Sequence, residues 1–268
     1  MASNSPSFNP KLRQWLTLIA IVAAFSVNVL SNFFPLNGLT IGEISNSLFA
    51  EVKIIPANYA FAIWGLIYLG LFSLGIYQFL PAQRDNPRLQ DLGYFLVMAC
   101  AAQILWVWVF LSRLFLPSLI AMVGILLALI AGYLALNIGK EQVPKWERWF
   151  VNAPMSIYLA WISVATIVNV AIFLESLDWN GWGISPELWT AILLIIAGIV
   201  AVLMRINYQE TAFPLVFLWA IIAIIVRQFN EPLIVLTALG VCLAISLVGI
   251  GSTVSNHSQA PESSVERR

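Results

Sequence analysis

A chain of 268 residues with 60% apolar and only 10% charged side chains cannot cover a water-facing surface, since soluble domains carry about 25% charged residues. Its 13 Lys plus Arg against 13 Asp plus Glu leave no basic excess to neutralise phosphates, which removes nucleic acid as a partner. The single histidine, His257, and two isolated cysteines, Cys100 and Cys242, exclude histidine-ligated haem or zinc, Ser-His-Asp catalysis and any CxxC motif.

A bilayer core of about 30 Å is crossed by about 20 apolar helical residues, because every backbone polar group must be satisfied within the segment. In chain order, a polar tail over 1–14 is followed by a first span from Trp15 to Phe34. It is read as a retained helix, being long for a signal peptide and lacking an A-x-A site. The loop TIGEISNSLFAEVKII then places Ile41, Ile44, Leu48, Phe49 and Val52 on one helical face, with Thr40 and Glu43 as a capping box. This predicts an amphipathic helix over 40–55 at the outer interface, either a plain surface element or a lid on the bundle. Further spans follow at Tyr59 to Leu80, Leu92 to Leu111, Leu116 to Leu136, Val151 to Leu174 and Leu188 to Met204. The segment from Phe213 to Val226 is short and bounded by Pro214 and Arg227, so a tilted or re-entrant course is an alternative there. The span from Pro232 to Ile250 precedes a polar tail over 251–268 that reads as disordered, like the N-terminal one. The fold class is an all-α polytopic transmembrane bundle of about eight helices.

Lys and Arg are retained on the cytoplasmic side. With the N-terminus inside, inner segments hold Lys11, Arg13, Arg84, Arg88, Lys140, Lys145, Arg148, Arg205, Arg267 and Arg268, whereas outer segments hold only Lys53, Arg113 and Arg227. Both termini are expected in the cytoplasm, with the chain in the inner cell membrane.

No ionisable side chain lies in the middle of a span, which argues against ion-coupled transport, pumping and retinal chemistry. Of eleven tryptophans, Trp15, Trp146, Trp149, Trp179, Trp182 and Trp189 fall near span ends, where indoles sit at headgroup level. Others form stripes at helical spacing: Phe61, Trp64 and Tyr68; Gln103, Trp106 and Phe110; Tyr158, Trp161, Ala165 and Asn169. Converging inside a bundle, such stripes suit a large, flat, apolar guest, with rings stacking on its face and amides or hydroxyls fixing its edge. Each stripe also admits a plain helix-packing role.

The stretch PANYAFAIWGLIY, from Pro56 to Tyr68, resembles the second-helix signature of the TspO/MBR family, the tryptophan-rich sensory proteins related to the translocator protein and peripheral benzodiazepine receptor. QILWVWVF, continuing into SRLFLPSLIAMVGI, is similar to the family's third helix, turn and fourth helix, with Gln103 where the family has Asn and Gly124 where it often has Asp. IYLAWISVATIVN is similar to the fifth-helix pattern P-Y-L-A-W-x-x-x-A-T-x-x-N, with Ile157 in place of Pro. The resemblance covers about 15–175 and implies a five-helix core that binds tetrapyrroles such as protoporphyrin IX, or sterol-like lipids. The family's loop tryptophans are missing, the aromatic before Trp64 is one residue closer, and 176–250 adds transmembrane helices for which the resemblance gives no role.

The expected ligand-binding residues are Trp64, Tyr68, Trp106, Phe110, Tyr158, Trp161 and Asn169, with Tyr158 and Asn169 orienting the ligand's polar edge. No catalytic residue, metal or required cofactor is expected, so the chain reads as a non-enzyme whose ligand is a porphyrin or similar molecule. Its partners are the bilayer, a hydrophobic small molecule and, if it oligomerises, copies of itself. An ion-independent facilitator of a small amphiphilic solute and a non-catalytic membrane scaffold are the alternatives.

Overall fold

A computed structural model describes residues 10–92 and 94–258. Among them the secondary structure is helical without strands: α1 (Pro10–Phe33), α2 (Ile41–Glu43), α3 (Ile63–Tyr77), α4 (Pro87–Leu92), α5 (Phe95–Leu111), α6 (Phe115–Ala135), α7 (Lys145–Glu147), α8 (Ala153–Glu175), α9 (Pro186–Tyr208), α10 (Ala212–Arg227) and α11 (Pro232–Ser258). A 3-10 turn over Asn58–Ala62 leads into α3, and a π turn over Arg148–Asn152 joins α7 to α8, so Lys145–Glu175 acts as one long span. Seven helices in the described residues are long and apolar enough to cross a membrane. The tail over 1–9 and the last residues, 259–268, lie outside the described residues, while α11 carries helix on to Ser258 within the stretch expected to be disordered.

The spans are apolar all round, and burial sorts their faces. On α3, Ile67, Leu71 and Leu74 are fully buried while Leu69 and Ile76 stand exposed on the lipid side. That is the pattern of a helix whose solvent is hydrocarbon on one face and protein on the other.

Helix α1 packs against α3 and α5, α5 against α6, α6 against α8, and α8 against α3, which closes a five-helix ring. Close approach needs small residues, as the absence of a hydrophobic drive between helices in lipid leaves van der Waals fit to hold them. A Cβ on Gly70 of α3 would stand 3.0 Å from Pro154 Cβ of α8, and one on Gly132 of α6 would stand 3.0 Å from a Leu92 methyl. At the end of the ring near Pro10, Gln14 and Gln78 exchange amide bonds to each other's carbonyls at 2.6 and 3.1 Å. There, too, Arg88 pairs with the buried Glu147 carboxylate and bonds the Leu136 carbonyl and Asn152 Oδ1, tying α4, α6 and α8 at one point.

Helices α9, α10 and α11 form a second cluster on the outer face of α8. Helix α10 packs against α8, α9 and α11, and α9 packs along α11, where a Cβ on Gly198 would stand 2.5 Å from Val241 Cγ1. The 16 residues of α10 rise about 24 Å, short of a bilayer core of about 30 Å, which settles the length of the weakest predicted span. With α8, α9 and α11 around it, α10 buries Phe213, Phe217, Ala220 and Ala223 within protein. Its first residue follows the α9 end and its last reaches the loop between α1 and α3.

That loop differs from the expected amphipathic helix. The capping box forms, with Glu43 N donating to Thr40 Oγ1 at 3.2 Å and Thr40 N to Glu43 Oε2 at 2.8 Å. The α-helix ends after one turn, however, and a wider π turn over Ile44–Leu48 follows. The wider turn carries Leu48 off the buried face, leaving it 49% exposed while Ile41, Ile44, Phe49 and Val52 are buried as expected.

Candidate functional site

The helix ring is antiparallel in the elements that matter: α3 runs away from the loop just described, and α5 and α8 run towards it. A residue one turn after a given position on α3 therefore sits at the depth of a residue one turn before the matching position on α5 or α8. The three aromatic stripes meet accordingly at two levels.

At the deeper level stand Tyr68, Gln103 and Tyr158. The Tyr158 hydroxyl donates to Gln103 Oε1, Gln103 Nε2 donates to the Tyr68 oxygen, and Tyr68 donates to the Ala24 carbonyl of α1 at 3.0 Å. This chain joins α8, α5, α3 and α1, and satisfies groups that hydrocarbon would leave unpaired at a cost of about 1–3 kcal/mol each. Tyr68 and Tyr158 stand below the cavity lining and act as its hydrogen-bonded floor.

One to three turns nearer the loop, Trp64, Trp106, Phe110, Trp161 and Asn169 line a cavity of about 30 Å³. Thus five of the seven expected site residues share one wall. Trp64 packs edge-on to Tyr158 with centroids 6.1 Å apart, Trp161 meets Phe61 at 6.0 Å, and Trp106 lies against Phe110 at 5.2 Å. Aliphatic Val164, Val168 and Ile172 complete the α8 side. Asn169 bridges three helices: its Oδ1 accepts from Trp106 Nε1 at 2.7 Å and its Nδ2 donates to Ser118 Oγ of α6 at 3.1 Å. Both Asn169 and Tyr158 are therefore engaged in bonds between helices, and the cavity presents a nearly apolar surface.

The volume admits a water molecule or two, whereas pockets for drug-sized ligands measure about 300–1,000 Å³. The loop borders it, supplying Ile41, Ser45 and Pro56 to the lining. Phe49 packs edge-on to Phe115 at 4.9 Å, and Phe115 to Phe110 at 5.9 Å, so this segment is seated on the α5–α6 turn. We call residues 40–57 the lid. Glu43 lies exposed within it, and its carboxyl is held below the usual 4.5 by the hydrogen bonds from Thr40. At the lid's other end, the Lys53 ammonium is 2.8 Å from Glu231 Oε1, and that hydrogen bond raises Lys53 above its usual 10.5.

Sequence reasoning missed Ser118, the hydroxyl that completes the Asn169 bridge, and the aliphatic wall of α8. Ser118 is a lone hydroxyl in an apolar run and was open to notice, but nothing distinguishes Val164 or Ile172 from other core aliphatics. Trp108 faces outward, 58% exposed, and Trp219 serves another purpose, its indole donating to the Ala60 carbonyl at 3.0 Å.

No curated protein and no solved structure matches the chain. A family model described as TSPO-like protein matches residues 14–251. The match runs through α9, α10 and α11 as well as the five-helix ring, further than the motifs alone reach. With nearly the whole described chain inside that match, a polytopic all-α architecture and the aromatic stripes in place, the protein belongs to the TSPO-like family of integral membrane proteins.

Proposed function

We propose that the protein binds a planar hydrophobic ligand, a tetrapyrrole or a sterol-like lipid, in the cavity beneath the lid, for transport, sensing or regulation and without catalysing a reaction. The observation that carries the reading is the convergence of Trp64, Trp106, Phe110 and Trp161 from three helices on one apolar cavity. Indole rings offer flat faces at low conformational cost, and an uncharged wall favours a guest that brings little polar surface. The lid must move for such a guest to enter, since the cavity as it stands is an order of magnitude too small.

The same reading places the lid outside and both termini in the cytoplasm of the inner cell membrane. Its support is the charge distribution: Lys53, Arg113 and Arg227 are the basic residues at the lid end, against eight from Lys11 to Arg205 at the other.

The test is a titration of the detergent-solubilised protein with protoporphyrin IX, read by tryptophan fluorescence. Saturable quenching is expected, weakened at least tenfold in apparent affinity by Trp106→Phe together with Trp161→Phe. Quenching that does not saturate, or that the double substitution leaves unchanged, overturns the reading.

A further inference from the structure

The lid is fastened along one flank by the end of α10 and the turn that follows it. Arg227 Nη1 donates to Asn46 Oδ1 at 2.6 Å, and its Nη2 reaches the Ala50 carbonyl at 3.4 Å. Gln228 Nε2 donates to the Lys53 carbonyl at 3.0 Å, and Lys53 pairs with Glu231 at 2.8 Å, with Glu187 of α9 at 4.0 Å. The Ala57 amide donates to the Ala223 carbonyl at 3.0 Å, and Trp219 secures Ala60 just beyond. These contacts come from the second helix cluster and meet the lid over 46–57, next to Ser45 and Pro56 of the cavity lining.

The lid's underside is apolar, with Ile44 and Ile55 fully buried and Phe49 nearly so. In water, exposing it would be costly. At a membrane surface it can turn to acyl chains, which are as apolar as the protein interior it leaves, so its burial does little to fix the lid in one place. Directional polar contacts remain to do so, and those made to a charged group are the stronger ones. At the upstream end, Gly38 holds left-handed backbone at φ 80° with nothing within 4 Å of a Cβ, so the chain has room to turn there, while Asn37 before it is held to the Leu111 carbonyl of α5 at 3.3 Å.

We propose that α10 and its following turn are a latch: Arg227, Gln228 and Glu231 hold the lid over the cavity, and release of these contacts opens the cavity sideways to a ligand arriving from the bilayer. This gives the second helix cluster a function in access. It rests on the reading of the cavity as a ligand site, but the latch itself is tested without ligand.

Amide hydrogen exchange of the full-length protein in nanodiscs is the measurement. Lys53→Met alters only a lid residue and leaves α10 intact; Arg227→Met with Glu231→Gln removes the latch's charged contacts from the other side and leaves the Gln228 bond. Both are expected to speed exchange over 40–57 about tenfold while α5 and α6 stay as in the parent, and Lys53→Arg is expected to retain slow exchange. Unchanged exchange in the lid, or a rise spread evenly over the whole bundle, overturns the latch. Protoporphyrin IX association, measured by stopped-flow quenching, should quicken in the same variants with little change in emission at saturation. Faster lid exchange with no porphyrin binding in any variant sinks the ligand reading and keeps the latch; saturable binding with an unresponsive lid does the reverse.

Discussion

Asn169 shows how a residue chosen for one purpose is engaged in another. The spacing Tyr158, Trp161, Ala165, Asn169 placed it correctly on the inner face of α8, but its amide is bound by Trp106 Nε1 and Ser118 Oγ. Asn169→Ala leaves a buried indole N–H without an acceptor, and we expect a loss of about 1–3 kcal/mol, read as a lower midpoint of thermal unfolding in detergent. Ser118→Ala, which removes one acceptor and leaves the indole bond intact, should cost less. Tyr158 makes a sharper case, because it stands beneath the cavity and completes the Gln103 bond. Tyr158→Phe is expected to lower the unfolding midpoint while leaving porphyrin affinity within twofold, the opposite of what Trp161→Phe with Trp106→Phe should do. An affinity loss as large as that of the tryptophan pair would return Tyr158 to the ligand's contact surface. Residue type and spacing made these side chains visible; which of them face the cavity and which face one another depends on depth along antiparallel helices.

At the scale of elements, two devices were legible to different degrees. The capping box was readable from Thr40 and Glu43, and its chemistry has a sign. Hydrogen bonds from Thr40 hold the Glu43 carboxyl below its usual 4.5, so its contribution is present above 4.5 and is lost as pH falls through the lowered value. Acidification from 4.5 downward through the lowered value should therefore speed exchange of the Glu43 amide before the spans respond, and Glu43→Gln should abolish that acid step. Lys53 runs the other way: raised above 10.5 by Glu231, its contribution is present below 10.5 while the Glu231 carboxylate stays ionised, and is lost as pH rises through the raised value. The Arg88 junction, by contrast, could not be read from sequence. Its partners Leu136, Glu147 and Asn152 lie far along the chain and meet it only when α4 packs against the ends of α6 and of the long span through α8. Arg88→Met leaves the buried Glu147 carboxylate unpaired, for which about 3–5 kcal/mol of destabilisation is expected, recovered in large part by adding Glu147→Gln.

For the whole molecule, seven helices among the described residues are long and apolar enough to cross a membrane, and the shorter α10 leads from the end of α9 to the lid. Helix α10 is the element on which the two clusters depend, because it is enclosed by α8, α9 and α11 and fastened to the lid. Its setting relies on the close α9–α11 crossing at Gly198, where added bulk would meet Val241 at 2.5 Å. Gly198→Leu should force the two backbones apart at a cost of about 1–3 kcal/mol, and Val241→Ala in the same chain should relieve most of it, a coupling that a double-mutant cycle of unfolding midpoints would measure. The sequence by itself determined that the chain is an all-α polytopic membrane bundle and which stripes turn inward, since these follow from hydrophobic length and from 3.6-residue periodicity, both local properties. Only the tertiary structure decided that the stripes meet at two depths, a cavity above a hydrogen-bonded floor, and that the short α10 reaches the lid. Those outcomes rest on contacts between residues as far apart as Asn46 and Arg227, whose geometry is fixed by helix direction and close packing and leaves no trace in local spacing.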